Sequence, residues 1–511
     1  MRQAGEAFQA GNHPAAERAC RTILALDPAH FDALHLLGVL CSLRAAPSEA
    51  IVWLQRAFGL HPRHPQLLEN LGTARLDAQQ TDAAITAFEE HLASTAPTPG
   101  ALNNLGNALL LADRPNEAVA RFQAALTLAP DFAPARFNLG RALEAVGAFT
   151  DAEAALRAVL PLAPADRLPQ VINQLGRVLC AQGRYREALD LTDALLRDRP
   201  AEHATRWNQS LTRLLIGDFA RGWREYEHRW DVPAHSPPPE RHTVLDLSAI
   251  RGKRVRVVAE QGLGDSIQFA RYAPLLAEMG AEVWLSVPPP LIWLFRTLRG
   301  VRGVVGTDDP APPADLTTSM LSLPLAFGTS LDSIPAETPY LHVPPHARIA
   351  WAERIGALRG IHVGVVWSGS RASAPRSAIP VRLLAPVLAR VGITFHCLQR
   401  EITPEDRAAI SGAGTMVLHD AELHDFADTA ALLAAMDLVI TIDTSVAHLA
   451  AAMGRPTWIM IPFDPDWRWL LACAGSPWYP SVRLFRQPGP GDWISVVKAV
   501  GTALSRRFDV P

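Results

Sequence analysis

The sequence predicts an α-solenoid followed by an α/β region made of two doubly wound halves. Three observations support this fold class: a repeat of about 34 residues over residues 1–200, a proline-rich break after residue 231, and alternating apolar strands and amphipathic helices beyond the break. At 511 residues the chain is too long for one hydrophobic core, so several domains are expected.

The repeat is marked by leucine–glycine pairs that recur in steps of 34 residues, with a last step of 36. Such a period predicts stacked pairs of antiparallel helices, in which glycine and alanine permit close approach and proline ends the second helix. Large residues such as Leu54, Phe88 and Phe122 are expected to fill the space between the helices. The pairs are Leu37-Gly38, Leu71-Gly72, Leu105-Gly106, Leu139-Gly140 and Leu175-Gly176; the alanines in register are Ala16, Ala50, Ala84, Ala118, Ala152 and Ala188; the prolines are Pro28, Pro62, Pro130, Pro164 and Pro200.

Asparagines recur on the first helix of successive repeats. They are Asn70, Asn103, Asn104, Asn107, Asn138 and Asn173. A ladder of asparagines can hydrogen-bond a peptide backbone without demanding a particular sequence, so Asn70, Asn104, Asn138 and Asn173 are predicted to line a peptide groove. The same side chains could instead hydrogen-bond from one repeat to the next, and the sequence leaves both interpretations open.

The repeat pattern weakens after Pro200 and ends in GDFARGWREYEHRW. The aromatic residues Trp223, Tyr226 and Trp230 stand at helical spacing and predict a capping helix region at residues 201–231, where packing is the favoured role. The segment VPAHSPPPE then predicts a stiff linker at residues 232–243.

Two series of strands and helices follow the linker. The first opens with a strand at residues 254–260, and the second opens with a strand at residues 361–367. Alternating strands and helices imply parallel sheets, so we predict two halves facing a cleft, at residues 244–345 and 346–511, with a closing C-terminal helix.

The segment at residues 437–462 reads as strand, polar turn, alanine-rich helix and strand. Asp443, Thr444 and Ser445 fall where the strand ends and the helix begins, with His448 one turn later. In an open α/β sheet ligands bind at this point, and a helix N-terminus offers N–H groups to a phosphate. Thr444 or Ser445 could equally be only the helix cap.

A glycine loop follows the first strand of the first half. Gly262 and Gly264 begin a possible dinucleotide fingerprint, but the third glycine position is Ile267, which disfavours a nicotinamide enzyme. Asp265, at the start of the next helix, could cap that helix or act as a general base at the cleft edge. The sequence does not decide between these roles.

Composition excludes several classes of protein. A net charge of −3 and a pI near 6.6 argue against a nucleic-acid binder. Five scattered cysteines without C-x-x-C spacing favour a reducing compartment. No apolar run approaches the roughly 20 residues that span a bilayer, so no transmembrane segment and a cytoplasmic location are expected.

Several segments resemble a known family. EQGLGDSIQFARYAPLL, VGVVWSGS, DTAALLAAMDLVITIDTSVAHLAAAMGRPTWIMIP and DWRWLL with WYPSVRLFRQ look like bacterial proteins that join tetratricopeptide repeats to a heptosyltransferase-like glycosyltransferase domain. Their layout is similar to that of protein O-linked N-acetylglucosamine transferases. The resemblance implies a GT-B fold of two Rossmann-like halves, with the donor on the C-terminal half and the acceptor approaching from the N-terminal half.

The resemblance also implies roles for particular residues. Asp265 matches the proposed general base and His448 is the second expected catalytic residue. Arg371 or Arg376 would supply positive charge to the diphosphate, because the lysine common in that loop of the family is absent. The expected donor-binding residues are Trp367, Ser368, Gly369, Arg376, Asp443, Thr444, Ser445 and His448.

The expected function is transfer of a sugar from a nucleotide-sugar to an acceptor hydroxyl, on Ser or Thr of a protein bound by the repeats. No cofactor and no metal are expected in this reaction, and the Asp464-Pro465-Asp466 segment is interpreted as a turn. Two alternatives remain: a transferase directed at a glycan or lipid, and a non-catalytic repeat scaffold with a degenerate transferase domain.

Overall fold

The computed structural model describes residues 1–232, 242–310, 312–356, 359–369, 378–413 and 416–509. The chain forms two compact units, Met1–Leu191 and Thr192–Pro511. The division falls inside helix α12 (Tyr185–Asp198), a few residues before the predicted end of the repeat array. The predicted linker at residues 232–243 lies outside the described residues except at its two ends.

The first unit consists of paired helices, as the repeat predicts. Its helices, ahead of α12, are α1 (Arg2–Gln9), α2 (His13–Leu26), α3 (Phe31–Leu43), α4 (Pro47–Leu60), α5 (Pro65–Asp77), α6 (Thr81–Ser94), α7 (Pro99–Leu111), α8 (Pro115–Leu128), α9 (Ala133–Ala145), α10 (Phe149–Val159) and α11 (Leu168–Ala181). The longer connection between α10 and α11 accounts for the single step of 36 residues.

The glycines of the repeat lie where the two helices of a pair touch. A Cβ at Gly72 would stand 2.6 Å from Cε1 of Phe88, and one at Gly106 would stand 2.6 Å from Cε1 of Phe122. Gly38 meets Leu54 in the same way. The predicted roles of the glycines and of the large residues are therefore confirmed.

The turn inside each repeat uses one residue in the left-handed region. The position recurs at Gly11 (φ 72°), Ala45 (57°), Gln79 (61°), Asp113 (57°), Gly147 (81°) and Gly183 (75°). Only glycine adopts this conformation without a steric cost, so three repeats carry local strain that the packing of their helices offsets.

The predicted cap belongs to the second unit, as helix α13 (His203–Leu215), helix α14 (Phe219–Tyr226) and a 3₁₀ turn (Glu227–Asp231). Trp223 is buried, packs edge-on against Trp467 with ring centroids 5.3 Å apart, and donates from Nε1 to the Thr329 carbonyl at 3.1 Å. The aromatic residues of this region therefore pack into the α/β part of the chain.

The first sheet of this unit is parallel, in the order β3-β2-β1-β4. Its strands are β1 (Arg254–Val258), β2 (Glu282–Val287), β3 (Val301–Gly306) and β4 (Leu316–Ser319), and its helices are α15 (Leu263–Phe269), α16 (Tyr272–Glu278), α17 (Ile292–Phe295) and α18 (Leu323–Ala326). β1 aligns with β2 from the Arg254–Glu282 pair onward.

The second sheet is also parallel, in the order β10-β9-β8-β5-β6-β7. Its strands are β5 (Ile361–Val365), β6 (Ile393–Cys397), β7 (Met416–Leu418), β8 (Leu438–Ile442), β9 (Thr457–Ile461) and β10 (Val482–Arg486). Its helices are α19 (Pro345–Gly356), α20 (Val381–Leu388), α21 (Pro404–Ala413), α22 (Phe426–Ala434), α23 (Ser445–Ala452) and α24 (Trp493–Phe508). The closing helix α24 packs on α20, and Trp493 joins the core of this half.

The central strands of the second sheet are almost wholly apolar, whereas β1 of the first sheet alternates arginine and valine at its start. All five residues of β8 and all five of β9 are buried, as expected for parallel strands covered on both faces. None of the five cysteines, all of which the structure describes, is joined in a disulfide. In the part of the chain that the structure describes, no helix combines the length and the apolar character needed to cross a bilayer.

Candidate functional site

A cavity of about 950 Å³ lies at the carboxyl ends of strands from both sheets. In parallel sheets this edge collects the loops that bind ligands. The first half contributes residues 261–265 after β1. The second half contributes Ser368 and Gly369 after β5, Leu398, Gln399, Arg400 and Glu401 after β6, Asp443, Thr444, Ser445, Val446 and His448 after β8, and Asp464, Asp466 and Arg468 after β9.

The two halves touch at this cavity through the first turns of α15 and α23. A Cβ at Gly264 would stand 3.0 Å from Cδ2 of His448 and 3.5 Å from Cα of Ser445. Glycine at this position therefore lets the backbone of the glycine loop lie directly against α23. The sequence predicts a loop at Gly264, but α15 already begins at Leu263, because the side chain of Asp265 caps this turn.

Asp265 makes two strong contacts. Its Oδ2 accepts the backbone N–H of Gly262 at 2.9 Å, which closes the first turn of α15, and its Oδ1 pairs with the guanidinium of Arg468. The side chain keeps 17% exposure and lines the cavity. Both roles left open by the sequence are thus compatible, because each oxygen has one strong partner and keeps a second lone pair that can accept a proton.

Arg468 is the buried cation of the site. Besides Asp265, it donates to Gln268 Oε1 at 2.8 Å and to both oxygens of Asp466 at 2.8 and 3.0 Å. Burial lowers the pKa of Arg468, but the carboxylates of Asp265 and Asp466 outweigh this and raise it, so the guanidinium stays charged. Asp466 also accepts the backbone N–H of Arg468, which agrees with a turn at this segment.

Asp443 lies at the end of β8 with a side chain 25% exposed. Burial, followed by the negative charge of Asp466, raises the pKa of Asp443 to about 7. A carboxyl group in this condition exchanges its proton near neutral pH. It can therefore be protonated when an anionic ligand arrives, which removes a charge repulsion.

His448 is almost fully buried, with its ring stacked on Trp469 at 5.3 Å between centroids. Burial, with the charges of Arg468 and Arg271, holds the pKa of His448 well below its ordinary value, so the ring is neutral. Nδ1 lies 3.0 Å from the Tyr479 hydroxyl and Nε2 lies 3.7 Å from Asp443. If Tyr479 donates to Nδ1, Nε2 carries the proton that can be donated at the cavity.

Thr444 is the N-cap of α23. Its Oγ1 accepts the N–H of Ala447 at 3.4 Å, and the following residues Ser445 and Val446 line the cavity. The capping interpretation is correct for the Thr444 side chain. The cap leaves the backbone N–H groups at the start of the helix facing the cavity, so capping does not compete with anion binding.

The loop after β5 is held by Gln399. The Gln399 side chain accepts the backbone N–H groups of Trp367 and Ser368 at 2.7 and 2.9 Å and donates to Ser368 Oγ at 2.9 Å. Ser368 and Gly369 line the cavity, whereas Trp367 is buried in the core and donates to Asp406 at 3.0 Å. The side chain of Trp367 thus supports the loop, and Arg371 and Arg376 lie outside the described residues.

The cavity residues that the sequence did not predict include Gln399, Arg400 and Arg468. Gln399 and Arg400 follow the buried strand β6 after one intervening residue, Leu398, so the rule that places ligands at carboxyl strand ends could have found them. Arg468 stands within the DWRWLL segment, but nothing in the sequence connects it with Asp265, which is 203 residues away.

The asparagines of the repeats form links from one repeat to the next. Asn70 Nδ2 lies 2.8 Å from His35 Nε2, Asn104 donates to Glu69 at 3.4 Å, and Asn138 donates to Asn103 at 3.0 Å. Asn173 Oδ1 is buried without a hydrogen-bond partner. Three of the four predicted groove residues therefore make hydrogen bonds between repeats, as the alternative interpretation expects. These three side chains are also partly exposed.

The fold and the site together define a class: a solenoid of helical repeats followed by α/β halves with a ligand cavity at their strand ends. Models of the tetratricopeptide repeat match residues 1–65, 69–131, 109–172 and 170–198. The model of glycosyltransferase family 9 (heptosyltransferase) matches residues 417–459, which contain β8 and α23. These matches support a glycosyltransferase domain joined to tetratricopeptide repeats.

Protein FlbA of Caulobacter vibrioides is 32% identical over 322 residues, which are 57% of this chain and 53% of that protein. The chain thus spans about half the length of this relative. Among solved structures, YrrB, a TPR protein with an unusual peptide-binding site, is 18% identical, with a TM-score of 0.32 over 37% of this chain and 97% of that one. MamA is 23% identical, with a TM-score of 0.30 over 31% and 92%.

Proposed function

We propose that the chain is a glycosyltransferase of GT-B type that moves a sugar from a nucleotide-sugar to an acceptor hydroxyl, on Ser or Thr of a protein recruited by the repeats. One observation carries this proposal. The first turns of α15, with Asp265, and of α23, with Ser445, touch at a single cavity at the strand ends of both halves. A base and an anion-binding helix end are thereby brought to the same place.

The donor diphosphate fits at the start of α23. The N–H groups of Ser445 and Val446 and the positive end of the helix dipole would bind its oxygens. Arg400 is exposed at the cavity and offers a positive charge, while the neutral His448 offers an N–H donor. Protonation of Asp443 would relieve its repulsion with the diphosphate.

The chemical step is a displacement at the anomeric carbon of the donor sugar. The acceptor oxygen forms the new bond to this carbon, the bond from the carbon to the diphosphate oxygen breaks, and its electron pair leaves with the diphosphate. Asp265 takes the acceptor proton, and Arg468 holds the carboxylate in position. Stabilisation of the leaving diphosphate is the contribution of α23 and Arg400.

A panel of UDP-, GDP-, ADP- and CMP-sugars tests the activity. The purified chain should be stabilised against thermal unfolding by one nucleotide class and should slowly hydrolyse the matching donor. Asp265→Asn should abolish transfer and hydrolysis while the donor still raises the melting temperature. If no nucleotide-sugar stabilises the chain, the scaffold alternative replaces this proposal; if Asp265→Asn turns over normally, the base is another residue.

The acceptor is tested through the repeats. Candidate proteins are co-expressed with the chain and their Ser and Thr residues are mapped by mass spectrometry. The double variant Asn104→Ala, Asn138→Ala should lower modification, whereas Gln123→Ala, on an exposed part of α8, should not. If the double variant and the Gln123→Ala variant both modify a glycan or a lipid at the wild-type rate, the glycan- or lipid-directed alternative is favoured.

A further inference from the structure

Three potential metal ligands converge in the second unit, at residues that do not line the transfer cavity. His203 is the first residue of α13, and His228 and Asp231 belong to the 3₁₀ turn after α14. Nδ1 of His203 lies 3.0 Å from Nδ1 of His228, and Oδ2 of Asp231 lies 3.1 and 3.2 Å from these two nitrogens. The three atoms form a nearly equilateral triangle.

Hydrogen bonding satisfies this triangle only when both imidazoles carry a proton on Nδ1 and donate to the same oxygen of Asp231. That arrangement sets two N–H dipoles in conflict, because the two nitrogens are only 3.0 Å apart. A cation bound to all three atoms removes the conflict, because each atom then donates an electron pair to it.

The dimensions suit a small transition-metal ion. Bonds of about 2.0 Å in a tetrahedral site place neighbouring ligand atoms about 3.3 Å apart, which requires shifts of only a few tenths of an ångström here. Two imidazoles and one carboxylate favour Zn²⁺ or a similar first-row ion over Mg²⁺ or Ca²⁺, which prefer oxygen ligands. The side chains are 39%, 32% and 51% exposed, so an ion can enter and a water can complete the coordination.

We propose that His203, His228 and Asp231 form a structural Zn²⁺-type site that fastens the start of α13 to the turn after α14. The turn also carries Arg229, which is buried and donates to both oxygens of Glu260 at 2.8 and 3.0 Å. Glu260 directly precedes the glycine loop. The bound ion therefore restrains the segment that supports this loop, while taking no part in the transfer reaction.

The test uses the full chain without a polyhistidine tag, stripped by a chelator and titrated with Zn²⁺ by calorimetry and with Co²⁺ by visible absorption. One ion should bind per chain, raise the melting temperature and give the d–d band of a nitrogen–oxygen site. His228→Ala and Asp231→Asn should each weaken Zn²⁺ binding by on the order of 100-fold or more, since even loss of an outer partner costs about 10–100-fold.

The matched control is His342→Ala, which removes an exposed imidazole from the same unit and should bind Zn²⁺ as the wild type does. Asp231→Asn keeps the size of the side chain, so circular dichroism should show that it folds. The proposal is overturned if the stripped chain takes up no Zn²⁺ at micromolar concentration, or if the His228 and Asp231 variants bind it as tightly as the control.

Discussion

Gly264 in the first half lies directly against His448 in the second, with space for a hydrogen but not for a methyl group: a Cβ would stand 3.0 Å from Cδ2 of His448. His448 is itself fixed by Trp469 and Tyr479, so it has little freedom to move. The contact therefore sets the spacing between the glycine loop and α23, on which the proposed reaction depends.

Gly264→Ala should lower transfer by on the order of 10-fold, because the added methyl group pushes the glycine loop and α23 apart by a few tenths of an ångström, and a displacement of about 1 Å can cost about 100-fold when groups must be aligned. Rates at saturating donor are the measurement. Gly475→Ala is the control, since its Cβ would meet the Val482 carbonyl at an ordinary 3.6 Å. Equal rates for the two variants would show that the contact does not matter.

Arg468→Lys should lower the transfer rate more than it lowers donor affinity. A lysine keeps the charge but cannot reach Asp265, Asp466 and Gln268 together, so the carboxylate of Asp265 loses its orientation. Arg468→Ala should also destabilise the fold, by about 3 kcal/mol at most, because Asp466 is partly exposed and solvent screens it. The comparison variant is Arg483→Lys, at an exposed arginine of β10; a rate loss there of similar size would contradict a specific role for Arg468.

The stability of the second unit should depend on pH through Asp443. The carboxyl titrates near about 4 in an unfolded chain and at about 7 in the fold, so the folded state binds more protons in between. The contribution of Asp443 to the free energy of unfolding therefore falls as the pH rises from about 4 to about 7, and it is constant above about pH 7. Asp443→Asn removes the effect.

The measurement is the difference between the melting temperatures of Asp443→Asn and the wild type. The variant should gain on the wild type as the pH rises from about 5 to about 8. Tryptophan fluorescence is a suitable probe, because Trp53 is the only tryptophan in residues 1–191 and twelve of the thirteen report on the second unit. A difference that stays constant with pH would show that Asp443 titrates normally.

Gly72→Ala should destabilise the repeats by about 1–3 kcal/mol, because its Cβ would overlap the ring of Phe88, which has no room to retreat. Gly59→Ala offers a matched change in α4, with no atom within 4 Å of its Cβ, and should stabilise by about 0.5–1 kcal/mol through helix propensity. Urea unfolding followed by circular dichroism distinguishes the two. A stabilising Gly72→Ala would refute the close-contact role.

Much of the fold was predictable because its signals are local or periodic. The 34-residue period places a glycine opposite a large side chain in successive pairs of helices, as Gly72 lies opposite Phe88. One rule therefore explains the packing of these pairs. The apolar strand before Asp443 and the small residues after it likewise predict a strand, a cap and a helix. The Thr444 cap needed no information from elsewhere in the chain.

Other features could not be read from the sequence. The ladder of asparagines was predicted, but whether Asn104 faces a peptide or Glu69 depends on the offset between neighbouring helices. Trp367 follows a strand as binding residues do, yet its side chain turns into the core. The triangle of His203, His228 and Asp231 joins residues separated by 25 and 3 positions, a spacing typical of no single metal motif.

The sequence by itself determined the repeats, the two α/β series and the polar residues at their strand ends, because short-range periodicity and steric preference act between near neighbours. Only the tertiary structure decided that Arg468 neutralises Asp265, that His448 is uncharged, and that Gly264 spaces the two halves. Charge, burial and close packing depend on atoms up to 203 residues apart in the chain, and these are brought together only when the sheets fold.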